Sequence, residues 1–237
     1  ERLEELRRAL AETNALGVQT STMLNTRLAT MKNNLGKKHG ERWSVRSLYG
    51  MPTLESWPLR TAHARVMPEY LDEQGRRWCQ SNREWQDWAL GIVKRCSDLG
   101  FTSMFLDEPF GEDLCFAGNH GHETPAHTAA GITEWSARAA AFVRSRHENA
   151  YVIGESLDIW TSRNMDLGWY WNWSDHHGEV YRYVLPDALQ AWTTDGYEHE
   201  NEVGEAFALG FLLALNVNGL EGTLADVPEF CRRIKRL

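Results

Sequence analysis

Leu99-Gly100-Phe101-Thr102-Ser103-Met104-Phe105-Leu106-Asp107-Glu108 is the stretch that decides the fold of this 237-residue chain. A glycine ends a helix, a short apolar run follows, and the run stops at two acids and Pro109. Such a run reads as a buried strand. The helix before it is the clearest in the chain. Trp85, Trp88, Ala89, Ile92, Val93 and Cys96 form one apolar face, and Ser81 with Glu84 three residues on has the pattern of a capping box.

The same helix-to-strand succession recurs on both sides of this unit. Leu3, Leu6, Leu10 and Leu16 lie near helical spacing, and Gly17 to Leu24 then reads as a strand with Asn25 and Arg27 just beyond it. Met31 to Arg60 reads as a long polar loop, and Ala64 to Tyr70 as a strand shortened by Pro68. Further on, a helix is expected over Ile132 to Arg146. Strands are expected at Tyr151–Gly154, at Leu167–Trp173 and, more weakly, at Val180–Leu185. A helix from Glu202 to about Leu215 leads to a last strand near Gly219–Gly222 and a terminal helix.

An alternation repeated about seven times, in a chain slightly under ~250 residues, fits an α/β (β/α)8 TIM barrel whose first strand is missing. The expectation is one barrel domain over residues 1–237, cut at both ends, with further domains in the same polypeptide. An open doubly wound sheet is the alternative. Against it, there is no glycine-rich phosphate loop.

Composition narrows the function. The net charge of −8 argues against a nucleic-acid partner held by a basic face. No apolar run reaches the ~18 residues of a membrane span. Nothing in the sequence assigns a compartment. Eleven tryptophans in 237 residues suit stacking on sugars, above all Trp171 and Trp173 in Trp169-Tyr170-Trp171-Asn172-Trp173-Ser174-Asp175. Core filling is the competing use. Cys79, Cys96, Cys115 and Cys231 form no Cys-x-x-Cys pair and read as buried thiols rather than a zinc site or a disulfide framework.

Barrel enzymes gather their chemistry at the carboxyl ends of the strands. That rule selects Asp107 and Glu108, then Glu155, then Asp175, from 33 acids. Glycoside hydrolysis needs two carboxyl groups flanking the scissile bond. Asp107 is the candidate nucleophile, with Glu155 or Asp175 as acid/base. Asn25, Arg27, Glu108, Trp171, Trp173 and His177 are candidate sugar contacts.

The segment Trp78-Cys79-Gln80-Ser81-Asn82-Arg83-Glu84-Trp85, its helix and the strand into Asp107-Glu108 resemble TIM-barrel glycoside hydrolases related to the alpha-galactosidase and alpha-amylase barrels, and beta-galactosidase-like glycosidases. The resemblance covers about a third of the chain. It implies a carbohydrate substrate and a retaining mechanism with Asp107, on the fourth strand, as nucleophile. Alpha-amylase-like barrels place a Glu on the fifth strand, matching Glu155, whereas alpha-galactosidase-like barrels place an Asp on the sixth, matching Asp175. The chain departs from relatives that carry a Cys-x-x-Cys-like cluster after that strand, having only Cys115-Phe116-Ala117-Gly118.

The loop after Asp107 holds Glu112, Asp113, His120, His122, Glu123 and His127. His120 and His122 read as hydrogen-bonding or substrate contacts, and no metal or cofactor is expected. Three rivals remain: a metal-dependent amidohydrolase-like barrel using His120, His122 and Asp107, a carbohydrate-binding barrel without catalysis, and a structural barrel domain of a larger enzyme whose site is completed by missing segments.

Overall fold

The structure, a computed structural model, describes residues 2–30, 33–55, 75–109, 113–155, 159–170, 178–194, 200–215, 226, 228, 231 and 232. Helix α1 (Arg2–Ala15) leads into β1 (Ser21–Asn25). A small layer then interrupts the alternation: β2 (Leu28–Thr30), α2 (Asn34–Trp43), β3 (Leu54–Glu55) and β4 (Gly75–Arg77). The main series resumes with α3 (Arg83–Leu99), β5 (Ser103–Asp107), α4 (Thr128–Arg146), β6 (Val152–Glu155) and β7 (Leu167–Tyr170). It continues through α5 (Gly178–Val184), β8 (Leu189–Thr194), α6 (Glu200–Ala208) and β9 (Leu212–Leu215).

Among the described residues, six strands form one parallel sheet in the order β1-β5-β6-β7-β8-β9. A doubly wound sheet reverses its strand order at a switch point. Among the described residues this order contains no reversal. The inserted strands β2, β4 and β3 make a separate antiparallel sheet. Among the described residues no helix is long and apolar enough to cross a membrane.

The core lies between the sheet and its helices. Met104 and Leu106 of β5 and Val152 of β6 pack with Trp85, Ala89 and Val93 of α3 and with Ile132, Trp135, Ala139, Ala140 and Val143 of α4. Side chains alternate faces along a strand. Phe105 and Asp107 therefore look away from the helices, as do Ile153 and Glu155. Trp135 is fully buried, and its indole N–H donates to the Gln86 carbonyl at 3.1 Å, so its one polar atom is satisfied. A second cluster joins Tyr170, Trp192, Ala206 and Phe211 around β7, β8 and α6.

Several local expectations are corrected. Met31–Arg60 is not all loop, because α2 forms there. Asn33 caps it by accepting from the Gly36 N–H at 2.7 Å, and Gly36 and Gly40, which look like breakers in sequence, are buried within it. The cap of α3 is Asn82, which accepts from the Trp85 N–H at 3.1 Å. Ser81 instead donates to the His127 carbonyl at 2.7 Å, and Glu84 is taken by Arg42 at 2.8 Å and by the Trp43 indole at 2.9 Å. Val180–Leu185 is not a strand but lies largely in α5. The helix expected to reach Leu215 ends at Ala208. Gly210, at φ 65°, takes the left-handed conformation that stops it, and Leu212–Leu215 becomes β9. The strand at Leu189–Thr194 escaped the pattern reading. The expected strands at Ala64–Tyr70 and Gly219–Gly222 lie outside the described residues.

Gly131 lets α4 approach the turn before α3. A Cβ there would stand 2.2 Å from Ser81 Oγ and 2.6 Å from Ser81 Cα. The approach is held by Gln86, whose amide donates to the Gly131 carbonyl at 3.1 Å and to that of Gln80 at 2.9 Å. Gly131→Ala should therefore destabilise the fold by about 1–3 kcal/mol through overpacking, read as a lowered denaturant midpoint. An unchanged midpoint would show that the contact relaxes freely.

Candidate functional site

Parallel pairing sets a row of side chains across the strand ends. Asn25 of β1 is the register partner of Asp107. Leu106 is paired with Gly154, so Asp107 comes level with Glu155. Glu155 is in turn paired with Trp169 of β7. Asn25, Asp107, Glu155 and Trp169 are all half-buried. Asp107, Glu155 and Trp169 alternate with Leu106, Gly154 and Tyr170, which are buried. The row thus occupies the face turned away from the helices.

Asn25 organises the acids. Its Oδ1 accepts the backbone N–H groups of Arg27 at 3.0 Å and Leu28 at 2.6 Å. With the carbonyl end so fixed, its amide N–H must point the other way. It donates to Asp107 Oδ2 at 2.6 Å and to Glu108 Oε2 at 3.2 Å. The Glu108 backbone N–H donates to Glu155 Oε2 at 3.0 Å. Asn25, Asp107, Glu108 and Glu155 are therefore linked at one place.

Glu108 is the one described non-glycine residue with positive φ, at 49°. Such a conformation costs about 1–3 kcal/mol and persists only where its surroundings impose it. Pro109 disfavours the ordinary helical conformation for its predecessor. Thr26, fully buried, supplies the clamp: its hydroxyl contacts the carbonyls of Asp107 at 2.9 Å and Glu108 at 3.0 Å, and its N–H donates to the Asp107 carbonyl at 2.9 Å. Thr26 was not among the sequence candidates, since a threonine after a strand carries no visible chemistry.

Arg27 sits inside the protein at 1% exposure. Its Nε donates to Asp113 Oδ2 at 3.1 Å and its Nη2 to Oδ1 at 3.4 Å, and Arg77 also binds Oδ1. These pairs tie the loop after β5 to the turn between β1 and β2 and to β4. Asp175, Trp171, Trp173 and His177 lie outside the described residues. Trp169, which belongs to the same aromatic stretch but was not singled out, is the described aromatic in the row. It meets Phe105 edge-on, with ring centroids 5.7 Å apart.

His120 and His122 do not group with Asp107, as a metal-dependent amidohydrolase would require. Among the described residues they group with Cys79 and Cys115, with the donor atoms of all four within 4.8 Å of one another. Cys79 and Cys115 share a hydrogen bond that pulls the Cys115 thiol well below its usual range and pushes Cys79 well above it; desolvation adds to the rise at Cys79. The sequence reading missed this set because Cys79 is far along the chain from the other three.

With this geometry established, the known structures it resembles are informative. An alpha-galactosidase from Thermus thermophilus, in complex with p-nitrophenyl alpha-D-galactopyranoside, superposes with a TM-score of 0.57 at 14% identity over 98% of this chain and 49% of its own. A ligand-bearing alpha-N-acetylgalactosaminidase from Bifidobacterium bifidum, in complex with GalNAc, gives 0.61 at 14% identity over 96% and 38%. Ega3 of Aspergillus fumigatus, in complex with galactosamine, gives 0.55 at 10% identity over 89% and 79%. The likeness is one of fold. The chain spans about half or less of the length of the first two. No family model matches the sequence, and no curated protein matches it.

Thr26→Val keeps the side-chain volume and the backbone bond to the Asp107 carbonyl, but removes the hydroxyl from the Glu108 carbonyl. It should lower stability by about 1–3 kcal/mol, the cost of leaving a buried acceptor without this donor. Equilibrium urea unfolding measures it, and a midpoint equal to that of the unsubstituted protein would show that Thr26 does not hold the Glu108 conformation.

Proposed function

We propose that this chain carries the catalytic rim of a glycoside hydrolase built on a (β/α)8 barrel, with a carbohydrate as its substrate. The observation that carries the reading is the linked row Asn25–Asp107–Glu155 at the carboxyl ends of β1, β5 and β6. Two carboxyl groups on adjacent strands, aimed by hydrogen bonds, are what glycoside cleavage uses.

In this reading Asp107 is the nucleophile. The Asn25 amide N–H, 2.6 Å from Oδ2, orients the carboxylate and leaves Oδ1 to attack. Attack at the anomeric carbon breaks the bond to the leaving oxygen, which takes a proton from Glu155. Water then cleaves the glycosyl-enzyme ester, and Glu155 removes its proton, so configuration is retained. The Glu108 N–H, donating to Glu155 Oε2 at 3.0 Å, orients the carboxyl group for this proton transfer. Trp169, next in the row, offers an aromatic face for the sugar. Asp175 is the alternative acid/base, and Trp171, Trp173 and His177 are proposed sugar contacts.

The test is hydrolysis of a panel of aryl alpha- and beta-glycosides by the longest available polypeptide. Asp107→Asn should abolish turnover on every member that is cleaved. Glu155→Gln should lower kcat by about 10²–10⁴-fold, and less on substrates whose leaving groups need no proton. Full turnover in Asp107→Asn would place the nucleophile elsewhere. Sugar binding with no turnover on any glycoside would make the protein a non-catalytic carbohydrate-binding barrel.

A further inference from the structure

Away from the proposed carboxylate chemistry, four metal-binding side chains meet at a junction of loops. Cys79 follows β4, and Cys115, His120 and His122 lie on the loop after β5. Their donor atoms all lie within 4.8 Å of one another. Cys79 and Cys115 are fully buried, His120 is 3% exposed, and His122 is half-buried. Neither cysteine is in a disulfide.

We propose that Cys79, Cys115, His120 and His122 bind a structural zinc ion. Two sulfurs and two imidazole nitrogens are a zinc donor set, and four protein ligands make a closed site with no position for a reacting water. Zinc bonds of about 2.3 Å to sulfur and 2.0–2.1 Å to nitrogen give tetrahedral edges of about 3.3–3.8 Å. The separation of Cys115 Sγ from His120 Nδ1, 3.4 Å, already has that length. With all four donor atoms within 4.8 Å, no pair needs to close by more than roughly 1–1.5 Å to reach such an edge.

The surroundings support ligation independently of the donor count. His120 Nε2 lies 2.8 Å from the Arg42 carbonyl, which accepts its N–H. That bond fixes the tautomer and leaves the Nδ1 lone pair directed at the cluster. Ligating histidines are oriented in this way by an outer carbonyl or carboxylate. The Arg46 backbone N–H points at Cys115 Sγ at 3.4 Å, a contact suited to a thiolate. His122 Nε2 is buried with no hydrogen-bond partner. A buried unsatisfied nitrogen is costly, and a metal ion would satisfy this one.

Zinc here would join the segment before α3 to the loop that leaves β5. That loop also carries Asp113, two residues before Cys115 and already paired with Arg27 and Arg77. The ion is thus a staple for the loop beside Asp107 and Glu108. This inference stands whether or not the rim hydrolyses glycosides.

The experiment is elemental analysis of the full chain purified under reducing conditions, with cobalt(II) replacement followed by absorption spectroscopy. One zinc per chain is expected. The cobalt form should show the intense visible bands of a tetrahedral ion and a thiolate-to-cobalt charge-transfer band in the near ultraviolet. His122→Ala should lose the zinc, whereas His122→Cys, which restores a donor, should retain it. If the alanine variant fails to fold, the cobalt spectrum of the unsubstituted chain decides by itself. Less than a tenth of a zinc per chain even after titration with zinc chloride would overturn the proposal. So would stoichiometric iron in its place, a cobalt spectrum without thiolate bands, or full zinc retention in a folded His122→Ala chain.

Discussion

Parallel strand pairing with a side-chain period of two is the constraint on which the rest depends. One register assignment, Asn25 to Asp107, decides that Met104 and Leu106 meet the helices while Phe105 and Asp107 turn away. A slip of one residue would put the carboxylate among Trp85, Val93 and Trp135 and the leucine at the rim. The apolar cost of such a slip is what makes the polar row reliable. The tryptophans of α3 and α4 therefore act on the site at a distance, by fixing which face of β5 is buried.

The rim itself is assembled against local preference. Two acids adjacent in sequence, one of them in a left-handed conformation, repel each other and strain the backbone. Asn25 and Thr26 offset this from a neighbouring strand, the first through its amide and the second through its hydroxyl and N–H. Strain of this kind, imposed by surroundings that pin it, gathers at functional positions. Arg27, next in the chain, faces the other way and holds Asp113. Three consecutive residues thus serve the acids, the backbone and the adjoining loop.

That loop is anchored twice over, by the Arg27–Asp113–Arg77 pairs and by the Cys79, Cys115, His120 and His122 cluster. Both anchors reach the inserted layer that separates β1 from α3. The insertion is more than a decoration on the alternating series, since β4 and its continuation supply Arg77 and Cys79, and the segment from α2 supplies the Arg42 carbonyl that orients His120.

The sequence by itself determined the alternation of helix and strand, the apolar face of α3, and the acids that end β5 and β6, because each depends on local periodicity and on a stop signal. It misassigned α2, since Gly36 and Gly40 break isolated helices but pack closely here. It missed the end of α6 because Gly210 is a stop only through its left-handed conformation, and it read α5 as a strand because seven residues carry too little period to separate the two. Only the tertiary structure decided that Asn25, Thr26 and Trp169 join Asp107 and Glu155, and that Cys79 meets Cys115, His120 and His122. Register and loop closure bring together residues tens of positions apart, and no local pattern encodes such separations.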